Sequence, residues 1–214
     1  MARSSESAQI YVLAGTNGAG KSSVGGAMFL REGATYFNPD EAARKILAAN
    51  KGITQEVANS AAWHEGRRLL ERAIDERLDF AFETTLGGRT ITRSLGVALS
   101  RGIEVRVWYV GLASPELHIE RVKARVAAGG HDIPEEKIRE RYNQSRENLI
   151  KLLPKLTELR VYDNSEDADP STGSSPEPRL ILHMEGQTIA DVCDLAAAPA
   201  WAKAILIEAI RQRG

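Results

Sequence analysis

Residues 10–22 read Ile10-Tyr11-Val12-Leu13-Ala14-Gly15-Thr16-Asn17-Gly18-Ala19-Gly20-Lys21-Ser22. The apolar start is typical of a buried strand, and the remainder matches the pattern Gly-x-x-x-x-Gly-Lys-Ser. Residues 23–30 follow directly and are predicted to form a helix. Glycines let the main-chain N–H groups of such a loop point at one anion, and the helix N-terminus adds partial positive charge. The stretch therefore predicts a binding site for the phosphates of a nucleoside triphosphate. The alternative is a glycine-rich turn followed by a surface lysine.

The motif also assigns roles to individual residues of the loop. We expect Lys21 to reach the β- and γ-phosphates and to act in catalysis, and the Ser22 hydroxyl to ligate Mg²⁺. The predicted cofactors are ATP and Mg²⁺. The residues predicted to contact the nucleotide are Gly15, Thr16, Asn17, Gly18, Ala19, Gly20, Lys21, Ser22 and Ser23.

Length and composition limit the kinds of protein that this chain can be. Its 214 residues, of which 43% are hydrophobic, favour one α/β domain with room for a lid or small appendage. The formal net charge of −1 argues against a nucleic-acid-binding protein that works by bulk positive charge. Cys193 is the only cysteine, and no apolar run reaches the roughly 18 residues of a membrane span. We therefore expect a cytoplasmic protein without a membrane partner.

Strand-like and helix-like segments alternate along most of the chain. Predicted strands cover residues 10–14, 34–37, 79–85, 104–112, 158–163 and 179–184, and predicted helices cover 23–30, 41–50, 54–78, 90–100, 114–128, 134–153 and 199–213. This order predicts an α/β fold of the P-loop NTPase class, a three-layer sandwich with a parallel sheet between helices. Residues 1–214 then form one domain, divided into a core (9–163), a helical lid (about 121–141), an acidic, serine-rich loop (164–178) and a C-terminal strand-helix extension (179–214).

Several polar residues fall where phosphoryl transfer needs them. Asp40 follows a predicted strand and lies in the first turn of a helix, where its carboxylate could take the proton of an acceptor hydroxyl. The alternative for Asp40 is an acid favoured at that position by the helix dipole alone. Glu83, Thr84 and Thr85 end another strand, at the edge where open α/β sheets bind ligands, so we expect them to bind substrate. The alternative for these three residues is a solvated strand end.

Arginines flank a predicted break in the helices at Gly129-Gly130. Charge that accumulates on a moving phosphoryl group needs fixed cations, and arginines on a lid supply them on closure. Arg125 and Arg141 are predicted to be catalytic, whereas the alternative is a solvated helix face paired with neighbouring glutamates. His64 is instead predicted to pack in the core. Trp63, Trp108 and Trp201 are predicted to lie in the core or at an interface, and the alternative for them is a platform on which bases stack.

The signatures of two other kinds of phosphate-loop protein do not occur in the sequence. The guanine-binding Asn-Lys-x-Asp is missing, and so is the Leu-Ser-Gly-Gly-Gln of ABC-type ATPases. The remaining layout is that of a small kinase, with a loop, an acid after the second strand and an arginine-rich lid.

Motifs beyond the loop resemble the zeta-toxin family, and within it the branch of zeta-like kinases. They are Asn38-Pro39-Asp40, Phe82-Glu83-Thr84-Thr85-Leu86, residues 125–134, and Arg141-Tyr142 with Glu147-Asn148-Leu149, and the resemblance covers about residues 9–163. It implies an ATP-dependent kinase that phosphorylates the 3′-hydroxyl of the sugar in UDP-N-acetylglucosamine, with Asp40 as general base. It further implies a five-stranded parallel core in the order 2-3-1-4-5, and it suggests an antitoxin as a protein partner.

The sequence departs from the family pattern in two places. Toxins of the family commonly read Glu-Gly-Thr-Leu-Arg where this chain reads Glu83-Thr84-Thr85-Leu86-Gly87. Arg89, two residues further on, is therefore the arginine predicted to bind substrate. His131 stands where toxin lids often carry an arginine. Two alternatives stay open: a kinase for another nucleotide, sugar or RNA end, and an ATP-binding regulator that transfers nothing and binds partners through residues 164–178 and the last helix.

Overall fold

A computed structural model of the chain describes residues 7–21, 36–166 and 177–212. The strands are β1 (Gln9–Ala14), β2 (Tyr36–Phe37), β3 (Phe80–Thr84), β4 (Glu104–Gly111), β5 (Glu158–Asp163), β6 (Arg179–Glu185) and β7 (Thr188–Val192). The helices are α1 (Pro39–Ala49), α2 (Gln55–Glu76), α3 (Arg89–Ser100), α4 (Pro115–Ala127), α5 (Glu135–Leu152) and α6 (Lys203–Arg211). The predicted helix 23–30 and most of the loop 164–178 lie outside the described residues.

The strands form one sheet in the order β2-β3-β1-β4-β5-β6-β7. The first five pair in parallel, which confirms the predicted α/β fold and the order 2-3-1-4-5. β6 and β7 extend the sheet to seven strands as an antiparallel hairpin. The prediction of 179–184 as an edge strand is wrong, because β7 pairs with β6 and forms the edge itself. β7 gives a weak sequence signal, since Ile189 is its only buried residue.

Apolar residues on the central strands explain why the sheet forms the core. Ile10, Val12, Val105 and Val107 are fully buried, as expected for parallel strands in the middle of a sheet. Side chains of α2, α3, α5 and α6 pack with them in one cluster. A second, smaller cluster includes Leu13, Trp108 and Val110. None of the helices that the structure describes is long and apolar enough to cross a bilayer.

Helix starts follow the predicted capping residues. Asn38 caps α1 by accepting hydrogen bonds from the N–H groups of Asp40 and Glu41, and Pro39 occupies the first turn. This cap matters for the site because it fixes the helix turn that carries Asp40.

The packing of α2 differs from the prediction. Trp63 and His64 are both exposed. The assignment of His64 to the core is therefore wrong, and of the two alternatives for Trp63 the core is excluded. The residues that α2 buries near α1 are the alanines Ala58 and Ala62, which cluster with Ala43 of α1. The small side chains of these alanines allow the two helices to pack closely.

Candidate active site

The phosphate-binding loop adopts a backbone that requires glycine. Gly15, Gly18 and Gly20 have φ angles of +145°, +82° and +80°. A Cβ on Gly15 would lie 2.2 Å from the carbonyl oxygen of Val110, and one on Gly18 would lie 2.6 Å from that of His118. The loop therefore curls closely against β4 and α4, and side chains at these positions would displace it.

Lys21 and Glu83 meet at the base of the loop. Lys21 is buried; its Nζ donates a hydrogen bond to Gly15 O (2.8 Å) and lies 3.4 Å from Glu83 Oε1. Glu83 Oε2 accepts hydrogen bonds from Tyr36 (3.0 Å) and Asn38 (3.1 Å). Burial, together with the neighbouring Glu83, raises the pKa of the Tyr36 phenol, which therefore stays protonated and donates. A buried carboxylate is held here by three partners.

Asp40 lies in the first turn of α1, beside the segment that joins α4 to α5. Its Oδ2 is 3.6 Å from Nη1 of Arg125, and its Oδ1 is 3.8 Å from Nε2 of His131. Arg125 also donates to the main-chain oxygen of His131 (3.3 Å), which ties the arginine to the segment 128–134. The predicted base and one predicted lid arginine are thus brought together.

Arg141 approaches the site from α5. Its Nη1 donates a hydrogen bond of 2.8 Å to Asn17 Oδ1 in the phosphate-binding loop. Burial lowers the pKa of the guanidinium from its ordinary value. Gly87 makes room for this side chain, because a Cβ there would lie 2.8 Å from Cγ of Arg141. The second predicted lid arginine therefore touches the nucleotide loop directly.

These residues line one cleft with a volume of about 450 Å³, which is within the range of ligand-binding pockets. Seven of the residues predicted to act in the site line the cleft: Asn17, Lys21, Asp40, Glu83, Thr84, Thr85 and Arg141. The other lining residues were not predicted to act in the site: Glu56, Asn59, Ser60, Trp63, Pro39, His131, Asp132, Ile133, Pro134 and Lys137. The first four of these lie on α2, whose polar positions carry no signal that distinguishes a cleft from solvent.

Other predicted residues lie elsewhere. Arg89 begins α3, is exposed, and does not line the cleft, so its contact with substrate stays a prediction. A further arginine beyond the Gly129-Gly130 break, Arg139, pairs on the surface with Glu116 (2.6 Å). Ser22, with the predicted magnesium contact, and Ser23 lie outside the described residues.

The structure adds supporting residues that the sequence reasoning missed. His118 is buried on α4, and its Nδ1 bonds to Asn17 O at 2.8 Å. Burial lowers the pKa of His118 to about 4. On α5, Ser145 donates to Thr85 O (2.6 Å) and Asn148 donates to Leu86 O (2.8 Å). Only tertiary structure brings these partners together, since the bonded residues are 60 or more positions apart in sequence.

Solved structures with similar folds include chains of two protein complexes. A chain of the AvrRxo1-ORF1:AvrRxo1-ORF2 complex solved with ATP has a TM-score of 0.65 and 15% identity, over 95% of this chain. This chain spans 63% of that one. A chain of the PezAT toxin–antitoxin system of Streptococcus pneumoniae has a TM-score of 0.54 and 17% identity, with 75% of this chain and 68% of that one covered. At these identities the likeness concerns the fold.

Comparison of sequences identifies a relative and a family. An uncharacterized protein of Haemophilus influenzae is 32% identical over 135 residues, which cover 60% of this chain and 88% of that protein. The sequence profile of the Zeta toxin family matches residues 2–169. This match includes the phosphate-binding loop, Asp40, Glu83, Arg125 and Arg141, and the chain accordingly belongs to the Zeta toxin family.

Proposed function

We propose that the protein is an ATP-dependent kinase that transfers the γ-phosphoryl group to a hydroxyl group of a small molecule. One observation carries the proposal: Asp40, Lys21 and Arg141 line a single cleft, and Arg125 reaches Asp40 from the neighbouring helix. A base, a phosphate-binding lysine and two arginines are the groups that phosphoryl transfer to an alcohol requires.

The phosphate-binding loop supports ATP as the donor. Its main-chain N–H groups would hold the phosphates in the space that glycines keep open, and Lys21 would exchange its carbonyl partner for phosphate oxygens. The related AvrRxo1 complex was solved with ATP, which is consistent with this choice. The buried Glu83 carboxylate beside Lys21 offers the oxygen chemistry that Mg²⁺ prefers, so Ser22 directly and Glu83 through water would hold the ion. When bound, Mg²⁺ would neutralise charge on the β- and γ-phosphates.

On the acceptor side, Asp40 would act as the general base. Its carboxylate takes the proton of the acceptor hydroxyl while the hydroxyl oxygen forms a bond to the γ-phosphorus. The bond between that phosphorus and the β,γ-bridging oxygen breaks, and ADP leaves with the electron pair. Arg125 and Arg141 would neutralise the negative charge that spreads over the transferred group.

The acceptor that membership of the family suggests is UDP-N-acetylglucosamine, phosphorylated on the 3′-hydroxyl of its sugar. Glu83, Thr84 and Thr85 at the end of β3 would supply hydrogen bonds to it. We also propose an antitoxin as protein partner and the cytoplasm as location. The PezAT system pairs a toxin with an antitoxin, which supports the first of these.

Replacement of Asp40 tests the proposal. We expect Asp40→Asn to lower the rate of phosphoryl transfer by about 10²- to 10⁴-fold, with ATP binding measured by calorimetry unchanged. Glu41→Gln is the matched control, since Glu41 lies in the same helix turn, is exposed and also bonds to Asn38 through its N–H group. Transfer at the wild-type rate by the Asp40 variant would show that the base is another group.

A further inference from the structure

We infer that one face of α2, formed by Glu56, Asn59, Ser60 and Trp63, is the acceptor-binding wall of the cleft, with Trp63 stacked on a ring of the acceptor. This inference rests on the proposed kinase function and concerns how the same cleft recognises its acceptor. What it adds is the role of this helix face, which would contact the ring and the hydroxyl groups of the acceptor.

The helical spacing of these four residues carries the first step. Positions 56, 59, 60 and 63 follow the i, i+3, i+4, i+7 pattern, which places their side chains on one face of a helix. All four line the cleft. The residues with which α2 packs, such as Ala58 and Ala62 against α1 and Leu70 in the main core, lie on other faces. The cleft face is thus available for a ligand and is not needed to hold the helix.

Trp63 provides the second step because its exposure is unusual for this protein. It is 41% exposed, whereas Trp108 and Trp201 are only 4% and 3% exposed. Trp63 also lines a small recess of about 50 Å³ on whose other walls lie Phe37 and Ile91. The His64 ring contacts the indole edge to face, with a centroid distance of 4.9 Å and an interplanar angle of 80°. Trp63 therefore contributes to both the cleft and the recess, contacts the ring of His64 and keeps part of its surface exposed.

The polar members of the face provide the third step. Asn59 Oδ1 accepts a hydrogen bond from Gln55 (2.9 Å), which orients the amide and leaves its Nδ2 donor free for a ligand. Among the described residues, Glu56 and Ser60 make no side-chain hydrogen bond or ion pair. A carboxylate, a hydroxyl and an amide donor complement the hydroxyl groups of a sugar or ribose.

The charges of Lys137 and Glu56, which both line the cleft, favour one orientation of a phosphate-bearing acceptor. Lys137 of α5 also lines the cleft and carries a positive charge, although it pairs with Glu140 (3.0 Å). A phosphate on the acceptor would lie towards Lys137 and away from the negative Glu56. Hydroxyl groups and the apolar side of a ring would then lie along α2, where an indole provides a stacking surface.

Intrinsic fluorescence tests this inference directly. Because the other two tryptophans are buried, quenching by acrylamide reports mainly on Trp63. We expect UDP-N-acetylglucosamine, added without ATP, to change the emission of Trp63 and to protect it from acrylamide. Two fragments show which ring of the acceptor stacks on Trp63. Protection by UDP alone would indicate the nucleoside, and protection by N-acetylglucosamine 1-phosphate alone would indicate the sugar.

Kinetics of matched variants complete the test. We expect Trp63→Leu to raise the KM for the acceptor at least about 10-fold, with the KM for ATP unchanged, and Trp63→Phe to restore most of the loss. Val57→Ala is the control, because Val57 is exposed on the same helix but does not line the cleft. An unchanged acceptor KM in Trp63→Leu, or protection of Trp63 by none of the three probes, would overturn the inference.

These outcomes are separable from failure of the kinase proposal. The fluorescence titrations need no transfer, so they decide the role of Trp63 even if no product forms. Conversely, Asp40→Asn could lose transfer while Trp63→Leu keeps a normal acceptor KM. That result would support the kinase function and contradict the acceptor-binding role of the α2 face. Protection by a single-stranded RNA end, but by no small probe, would assign the cleft to nucleic acid and also overturn the inference.

Discussion

At the scale of single residues, Asn17 is the point where the nucleotide loop is fixed to the helices. Its main-chain oxygen bonds to His118 of α4, and its side-chain oxygen accepts from Arg141 of α5. Both contacts are 2.8 Å long. A shift of either helix is therefore transmitted to the loop that would hold the phosphates.

His118 should make stability depend on pH. Its pKa is lowered by burial from 6.5 to about 4, with smaller contributions from the positive charges of Lys21, Arg121 and Arg146. Between these values the unfolded chain binds the proton more readily, so stability falls as pH drops, by about 2 kcal/mol from pH 7 to pH 5. Urea unfolding at both pH values should show this extra loss of unfolding free energy in wild type and not in His118→Gln. Equal losses in both proteins would contradict the buried neutral histidine.

Gly87 should be needed for the position of Arg141. A Cβ at Gly87 would lie 2.8 Å from Cγ of Arg141, whereas one at Gly88 would meet nothing within 4 Å. We expect Gly87→Ala to lower the transfer rate by about 10- to 100-fold through displacement of the guanidinium. Gly88→Ala is the control and should keep wild-type activity. Steady-state kinetics of the two variants measure the difference. Equal transfer rates in Gly87→Ala and Gly88→Ala would mean that the position of Arg141 does not affect transfer.

At the scale of secondary structure, α5 connects the phosphate-binding loop to the segment that follows β3. Its first half carries Arg141, and its second half carries the buried Ser145 and Asn148. These two donate to the carbonyls of Thr85 and Leu86, directly after β3. The tether matters because Leu86 has a φ of +54°, a left-handed conformation that is costly for a leucine.

Removal of the Asn148 side chain tests this tether. Asn148→Ala leaves the buried Leu86 carbonyl without its donor, which should lower the free energy of unfolding by about 1–3 kcal/mol. Relaxation of the loop after β3 should also raise the KM for the acceptor. Gln144→Ala on the same helix breaks an exposed hydrogen bond and should change stability by less than about 0.5 kcal/mol. Chemical denaturation of both variants gives the comparison, and equal stabilities would argue against the tether.

Secondary structure was predictable where local signals are strong. Asn38-Pro39 and Ser114-Pro115 mark helix starts, and both begin helices in the structure. The turn at Gly186 and the short strand β7 were missed, because one buried residue in five leaves almost no alternating pattern. The polar face of α2 was missed for a different reason. Spacing identifies a helix face, but it does not tell whether that face meets solvent, a partner or a cleft.

At the scale of the whole molecule, the C-terminal extension belongs to the core. β6 pairs with β5, and Trp201 is buried, with its Nε1 donating to Asp163 Oδ1 (3.1 Å). Gly111 gives the indole its space, since a Cβ there would lie 2.4 Å from the Trp201 ring. The family profile ends at residue 169, but the packing continues beyond it.

Truncation of Trp201 should therefore destabilise the entire fold. We expect Trp201→Ala to lower the free energy of unfolding by about 3–5 kcal/mol, as for other large-to-small changes in a core. Ile207→Ala on α6 is the control, because Ile207 is 55% exposed and should contribute less than about 0.5 kcal/mol. Denaturant unfolding followed by circular dichroism measures both, and a small loss for Trp201→Ala would mean that the extension is only peripheral.

The most direct test of the kinase assignment is mass spectrometry of the small molecules of a cell extract after incubation with ATP and the purified protein. Wild type should produce a compound heavier than its precursor by one phosphoryl group. Lys21→Ala should not produce it, and Asp40→Asn should produce it at least about 100-fold more slowly, although both proteins remain folded. The absence of any phosphorylated product with wild type, or the same product from the Asp40 variant at an equal rate, would contradict transfer through this cleft.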